Sequence, residues 1–158
     1  MIALRMGGRL ALLTTALVCN QACVADVEPD IGPLRAGVCT ADDSDPKKAV
    51  SFREDILPLF KRPFGMAGCG CHQPSSRRTS GIDSTGLDLG TYTALMRGGN
   101  SSGDTVVIPG DPCGSLLVQK ISTAPPSGGR MPSDGPPYMT PNEIMLIRDW
   151  IAEGASEN

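Results

Sequence analysis

The chain has 158 residues, about one domain once an N-terminal stretch is set aside. Three Phe, one Trp and two Tyr stand against 19 Gly and 14 Pro. So thin an apolar inventory builds no large core unaided and calls for a staple, a metal or an apolar cofactor. The 14 basic and 17 acidic residues form no basic stripe, which excludes nucleic acid as a partner.

Residues 1–22 read as an export signal. Arg5 and Arg9 make a basic flank, and Leu10 to Val18 (LALLTTALV) an apolar run too short for a bilayer, which needs about 20 apolar residues. Ala22-Cys23 resembles the end of a bacterial lipobox, which marks Cys23 as a lipidation candidate. Cys19 after the bulky Val18 is a weaker one, and plain cleavage after Ala25 is the alternative. Without Arg5 and Arg9 the mature chain keeps 12 basic against 17 acidic residues, a net charge near −5. An acidic surface favours a partner with a basic docking face.

Residues 23–49 show no apolar periodicity. Stretches such as EPDIGPLRAG and TADDSDPKK read as a tether and irregular arm, with Cys39 placed to pin it. From residue 50 the pattern changes. Phe52, Ile56, Leu59 and Phe60 fall at helical spacing, Ser51 and Glu54 make a capping box, and Pro58 is expected to kink or end the helix. Pro63 to Pro74 reads as a loop or a single turn and Ser75 to Gly86 as irregular. A short helix follows over Thr91–Arg97, closed by Gly98-Gly99, and another over Ser115–Ile121 with Leu116, Leu117 and Ile121 inward. Ser122 to Pro137 is a Pro/Gly loop. Thr140-Pro141-Asn142-Glu143 caps a last helix, whose Ile144, Ile147 and Ile151 share a face and which stops at Gly154. The reading is all-α, with residues 50–158 as one small domain.

The single histidine directly follows a cysteine, in Cys69-Gly70-Cys71-His72. Haem c attachment uses C-x-x-C-H, where thiols bond the haem vinyls and the His ligates iron. Cys71-His72 supplies the second half of that signal. Gly68 occupies the usual first-Cys position and Cys69 lies one residue late. A second, soft ligand suits an electron carrier. Met131, in GGRMPSDGPP, is the candidate. Met96 lies in a helix, and Met139 has a packing position before Thr140.

These residues carry a resemblance. From about Val50 to Ser156 the chain resembles the cytochrome c domains of exported planctomycete and myxobacterial proteins. The matching pieces are Asp55-Ile56-Leu57-Pro58, Cys71-His72, Pro109 to Leu117 (PGDPCGSLL), Met131-Pro132 and Trp150 to Ala155 (WIAEGA). The resemblance implies a small cytochrome c-like fold with crossing first and last helices around one covalent haem c. It implies His72 and Met131 as axial ligands, and electron transfer to redox partner proteins rather than enzymatic turnover. It does not cover residues 23–49.

With Cys23 lipidated, Cys39, Cys69, Cys71 and Cys113 remain, and exported chains favour even pairing. Haem attachment through both Cys69 and Cys71 leaves Cys39–Cys113 as a disulfide candidate; attachment through Cys71 alone leaves an odd thiol. Three other readings stay open. One is a Cys₃His zinc site drawn from Cys39, Cys69, Cys71, Cys113 and His72. Another is a haem peroxidase, for which no second His exists as acid or base. The last is a disulfide-stapled module without cofactor. The expected place is the periplasm or cell envelope, with the membrane reached through the lipid anchor.

Overall fold

The structure is a computed structural model in which residues 39–158 are described. The expected signal, Cys23 and most of the tether lie outside the described residues. Among the described residues the elements are helical, with no strand, and no helix is long and apolar enough to cross a membrane.

A π-helical turn, Phe52–Ile56, runs straight into α1, Leu57–Phe60. Pro58 therefore does not end the helix. It donates no amide hydrogen, and its ring crowds the carbonyl four residues back. The wider turn ahead of it takes up both, and the Ile56 and Leu57 amides reach back to the Ser51 and Phe52 carbonyls. The capping box is modified to match. Ser51 Oγ accepts from the Glu54 amide, but the Ser51 amide donates to Asp55 Oδ2 at 2.9 Å instead of to Glu54. The Asn158 side chain satisfies the Phe52 amide at 2.7 Å.

Helix α2, Ser80–Thr85, lies in the stretch expected to be irregular. None of its residues is buried, so no apolar period announces it. Local bonds hold it instead: Thr79 Oγ1 donates to Asp83 Oδ2, Thr85 Oγ1 donates to the Gly81 carbonyl, and Gly86 closes it at φ +69°. Helix α3, Tyr92–Arg97, is capped by Thr91, and a 3₁₀ turn, Gly103–Val106, follows.

Helix α4 is Leu116–Ile121. Its lead-in is fixed by Ser115, which is fully buried: the hydroxyl accepts from the Ile108 amide at 2.8 Å and donates to the Asp111 carbonyl at 2.8 Å. The inward residues are Leu117, Val118 and Ile121, whereas Leu116 is half-buried and turns to a cleft.

Helix α5, Pro141–Ala152, has the full Thr140/Glu143 capping box. Its buried face centres on Ile147, Trp150 and Ile151, all 0 % exposed, while Ile144 is only half-buried. Phe52 sits 5.4 Å from Trp150 and 5.3 Å from Tyr92, ring to ring, so the first and last helices meet through aromatics. Gly154, at φ +98°, and Ala155 reverse the chain, and the Trp150 indole donates to the Ser156 carbonyl.

The described part of the arm is irregular but tied down. Cys39 and Cys113 are bonded, with Cα atoms 5.4 Å apart and a sequence separation of 74. Closing so long a loop is worth about 4 kcal/mol in the chain-entropy account. Arg148 donates to the Thr40 carbonyl, and Ser44 donates through both amide and hydroxyl to the buried Asp149 carboxylate.

Candidate functional site

Two adjoining clefts lie at the Cys-His segment, with cavity volumes of about 230 and about 270 Å³. Together they fall within the usual span of cofactor pockets, about 300–1,000 Å³. Cys69, His72, Ser84, Thr85 and Met131 line both. The fold thus brings His72 and Met131, 59 positions apart in sequence, to one cavity. The first cleft adds Cys71, Gly68, Gly81 and the Pro132–Asp134 segment. The second has an apolar floor of Leu87, Leu89, Val106, Leu116, Leu117 and Ile121, and a polar side of Ser101, Ser102, Ser127 and Lys120.

His72 sits on a 3₁₀ turn, Gly70–His72, whose amide bonds to the Cys69 carbonyl. Its Nδ1 is 3.0 Å from the Leu87 carbonyl. A carbonyl only accepts, so Nδ1 carries the proton and Nε2 keeps its lone pair for a metal. The next residue, Gln73, is buried and donates to the Phe60 and Leu89 carbonyls, tying the turn between α1 and the 87–89 segment.

Gly81 of α2 packs on the imidazole. A Cβ there would lie 2.7 Å from both Cε1 and Nε2 of His72. A point equidistant from two bonded ring atoms lies beside their bond and off the Nε2 lone-pair axis. The α2 backbone at Gly81 therefore packs beside the ring and not in front of the nitrogen.

Gly68 explains the odd cysteine spacing. A Cβ at 68 would come within 2.5 Å of the Arg62 carbonyl oxygen and 2.9 Å of its carbon. No side chain fits there, so no cysteine does. Cys69, one residue later, is buried and lines both clefts. Burial pushes its thiol up to about 12, with Asp134 and Cys71 acting in the same direction. Neither Cys69 nor Cys71 is in a disulfide.

Met131 is held by a clasp on the end of α4. Its amide donates to the Lys120 carbonyl at 2.8 Å. The Lys120 ammonium reaches back to the Ser127 and Gly129 carbonyls at 2.7 and 2.8 Å. Arg130 Nε donates to the Ile121 carbonyl at 2.9 Å, and its guanidinium lies over the Tyr138 ring. Met139 is in the core, 2 % exposed, and lines neither cleft. Arg62 pairs with Glu143, tying the 62–68 turn to α5. Burial works to raise the Glu143 carboxyl, but hydrogen bonds from Arg62 and Thr140 hold it below its usual value.

The zinc alternative does not assemble. Cys39 and Cys113 are bonded to each other, and no group of three or more His, Cys, Asp or Glu ligands converges among the described residues.

Residues 69–135 match the family described as planctomycete cytochrome C. The match takes in Cys71-His72, the PGDPCGSLL segment and Met131-Pro132, and leaves out the first and last helices. No curated protein and no solved structure matches the chain.

Proposed function

Because the chain carries a planctomycete-type cytochrome c domain, we propose that it is an exported electron carrier with one covalent haem c, ligated by His72 and Met131. The observation that carries this reading is the imidazole. Its Nδ1 is committed to the Leu87 carbonyl, which leaves the Nε2 lone pair for a metal, and His72 shares two clefts with Met131. The residues fit a haem in other ways. The α2 backbone leaves room beside the ring only because residue 81 is glycine. The second cleft pairs an apolar floor with a hydroxyl-and-lysine side, which suits a flat apolar group bearing carboxylates.

When bound, a haem supplies one-electron chemistry. The chain supplies the rest. His72 is held in one tautomer and orientation, the clasp holds the thioether of Met131, and Cys71 and Cys69 offer thiols for thioether bonds. The sequence holds no second histidine to act as a distal acid or base, which favours a carrier over an enzyme.

The test is a visible spectrum of protein made in a periplasm with haem-attachment machinery, followed by acid extraction. The absorbance should stay with the denatured chain. Cys71→Ala should abolish most holoprotein, and Cys69→Ala should lower it severalfold if two thioethers form. Colour leaving with the solvent would rule out covalent attachment.

The same reading places the protein in the cell envelope, anchored by lipid on Cys23. On detergent phase separation the wild type should enter the detergent phase, and Cys23→Ser should move it to the aqueous one. A mature N-terminus at Asp26 would remove the anchor.

A further inference from the structure

We infer that the surface around Phe64 and Met66 is a docking face for an acidic partner surface, at the point where electrons enter and leave. This rests on the electron-carrier reading above.

Phe64 and Met66 are the exposed large apolar residues among those described, at 42 % and 60 %. Both stand in the turn just before Cys69, and Phe64 also lines the first cleft. One apolar side chain therefore touches both the cofactor cavity and solvent. Aromatic, Met and Arg side chains are the types enriched in interface cores.

The charge here runs against that of the whole chain. The full sequence has a net charge of −3, yet residues 61–80 hold four cations, Lys61, Arg62, Arg77 and Arg78, and no carboxylate. Arg78 lies over the Phe64 ring at 4.2 Å. Glu143, Asp134 and Asp83 bring carboxylates near this surface from other segments, and Asp83 accepts from the Thr79 hydroxyl beside Arg78. Glu143 pairs with Arg62, and Asp134 accepts from the Gly65 amide. Only Glu143 is offset by an ion pair, so the exposed Lys61, Arg77 and Arg78 outnumber Asp134 and Asp83 in these segments, and Arg78 lies against Phe64 itself. Net charge alone asks for a basic partner; the local field at the cavity mouth asks for an acidic one, and local charge governs the oriented encounter. An anionic membrane would also attract cations, but two apolar side chains, one of them under an arginine, offer little to insert. The position beside the cavity fits a protein partner better.

The test has two arms. In the first, the reduced holoprotein is oxidised by hexacyanoferrate(III). The rate should fall by about tenfold as salt rises from 10 to 200 mM, because the anion is drawn to a positive mouth. Arg77→Glu/Arg78→Glu, with an unchanged haem spectrum and melting temperature, should reverse the slope. A rate that rises with salt in the wild type, or a slope the double variant leaves alone, overturns the proposal. In the second arm, poly-L-glutamate at low salt should shift the Phe64 ring and Met66 methyl resonances. Vesicles containing phosphatidylglycerol should not. This arm needs no electron transfer, so it tests the surface even if the carrier reading fails. Shifts with vesicles alone, or with neither probe, overturn it.

Discussion

Met131→Ala should give a haem protein whose ferrous form binds carbon monoxide and whose reduction potential drops by on the order of 0.1 V, since axial ligands move haem potentials over about 0.8 V. A thioether is a soft, neutral donor that raises the potential opposite a histidine. Its removal opens the distal position. The far-red sulfur-to-iron band should vanish with it. Met131→His should stay low-spin and six-coordinate at a lower potential. Met139→Leu should change neither spectrum nor potential, because Met139 is packed in the core at 2 % exposure, outside both clefts. Lys120→Met is the graded case. It removes the ammonium bonds to the Ser127 and Gly129 carbonyls while leaving the Met131 sulfur in place. The sulfur-to-iron band should weaken and carbon monoxide should bind partially, whereas Lys120→Arg should restore both. An unchanged spectrum, potential and ligand affinity in Met131→Ala would remove Met131 from the iron.

The candidate site is legible in sequence where it depends on side-chain identity and obscure where it depends on backbone. Cys71-His72 and Met131-Pro132 are read directly, and the family match over 69–135 includes both pairs. The Thr140-to-Glu143 box and the Gly154 stop delimit α5 because each is a local rule with a side-chain signature. The Leu87 carbonyl that orients His72 has no such signature, since any residue offers a carbonyl. Helix α2 has no apolar signature, because S-G-I-D-S-T buries nothing; the Thr79–Asp83 and Thr85–Gly81 bonds and the Gly86 C-cap hold it, and Gly81 packs on the ring of His72. Pro58 signals a kink or an end in sequence, and it is the widened π turn ahead of it, invisible in the residue pattern, that lets the helix run on to Phe60. Lys120 sits in an amphipathic helix like any solvated lysine, and only the fold brings residues 127–131 back to it. The cysteine spacing was the one visible irregularity, and its cause, the close approach of Arg62, is a contact made in three dimensions.

That contact makes a counterintuitive prediction. Gly68→Cys/Cys69→Gly writes the ordinary C-x-x-C-H signal into the chain, and it should make a worse cytochrome. A β-carbon at 68 meets the Arg62 carbonyl oxygen at 2.5 Å and its carbon at 2.9 Å, distances that real side chains do not occupy. The neighbour is backbone and cannot swing away. Arg62 is also fixed through its ion pair with Glu143 on the first turn of α5. Overpacking usually costs about 1–3 kcal/mol, and a backbone obstacle sets the cost at the upper end. The second substitution also removes the buried Cys69 side chain from a residue that lines both clefts. Gly68→Ala separates the two effects, because it adds the β-carbon and keeps Cys69. It should lower the melting temperature nearly as much as the double variant while keeping covalent haem. The double variant should lose both stability and most of its holoprotein, read by denaturant unfolding and by haem absorbance per chain. A double variant that matches the wild type in both would show that the turn at 62–68 yields freely, and that the spacing of Cys69 and Cys71 has some cause other than this contact.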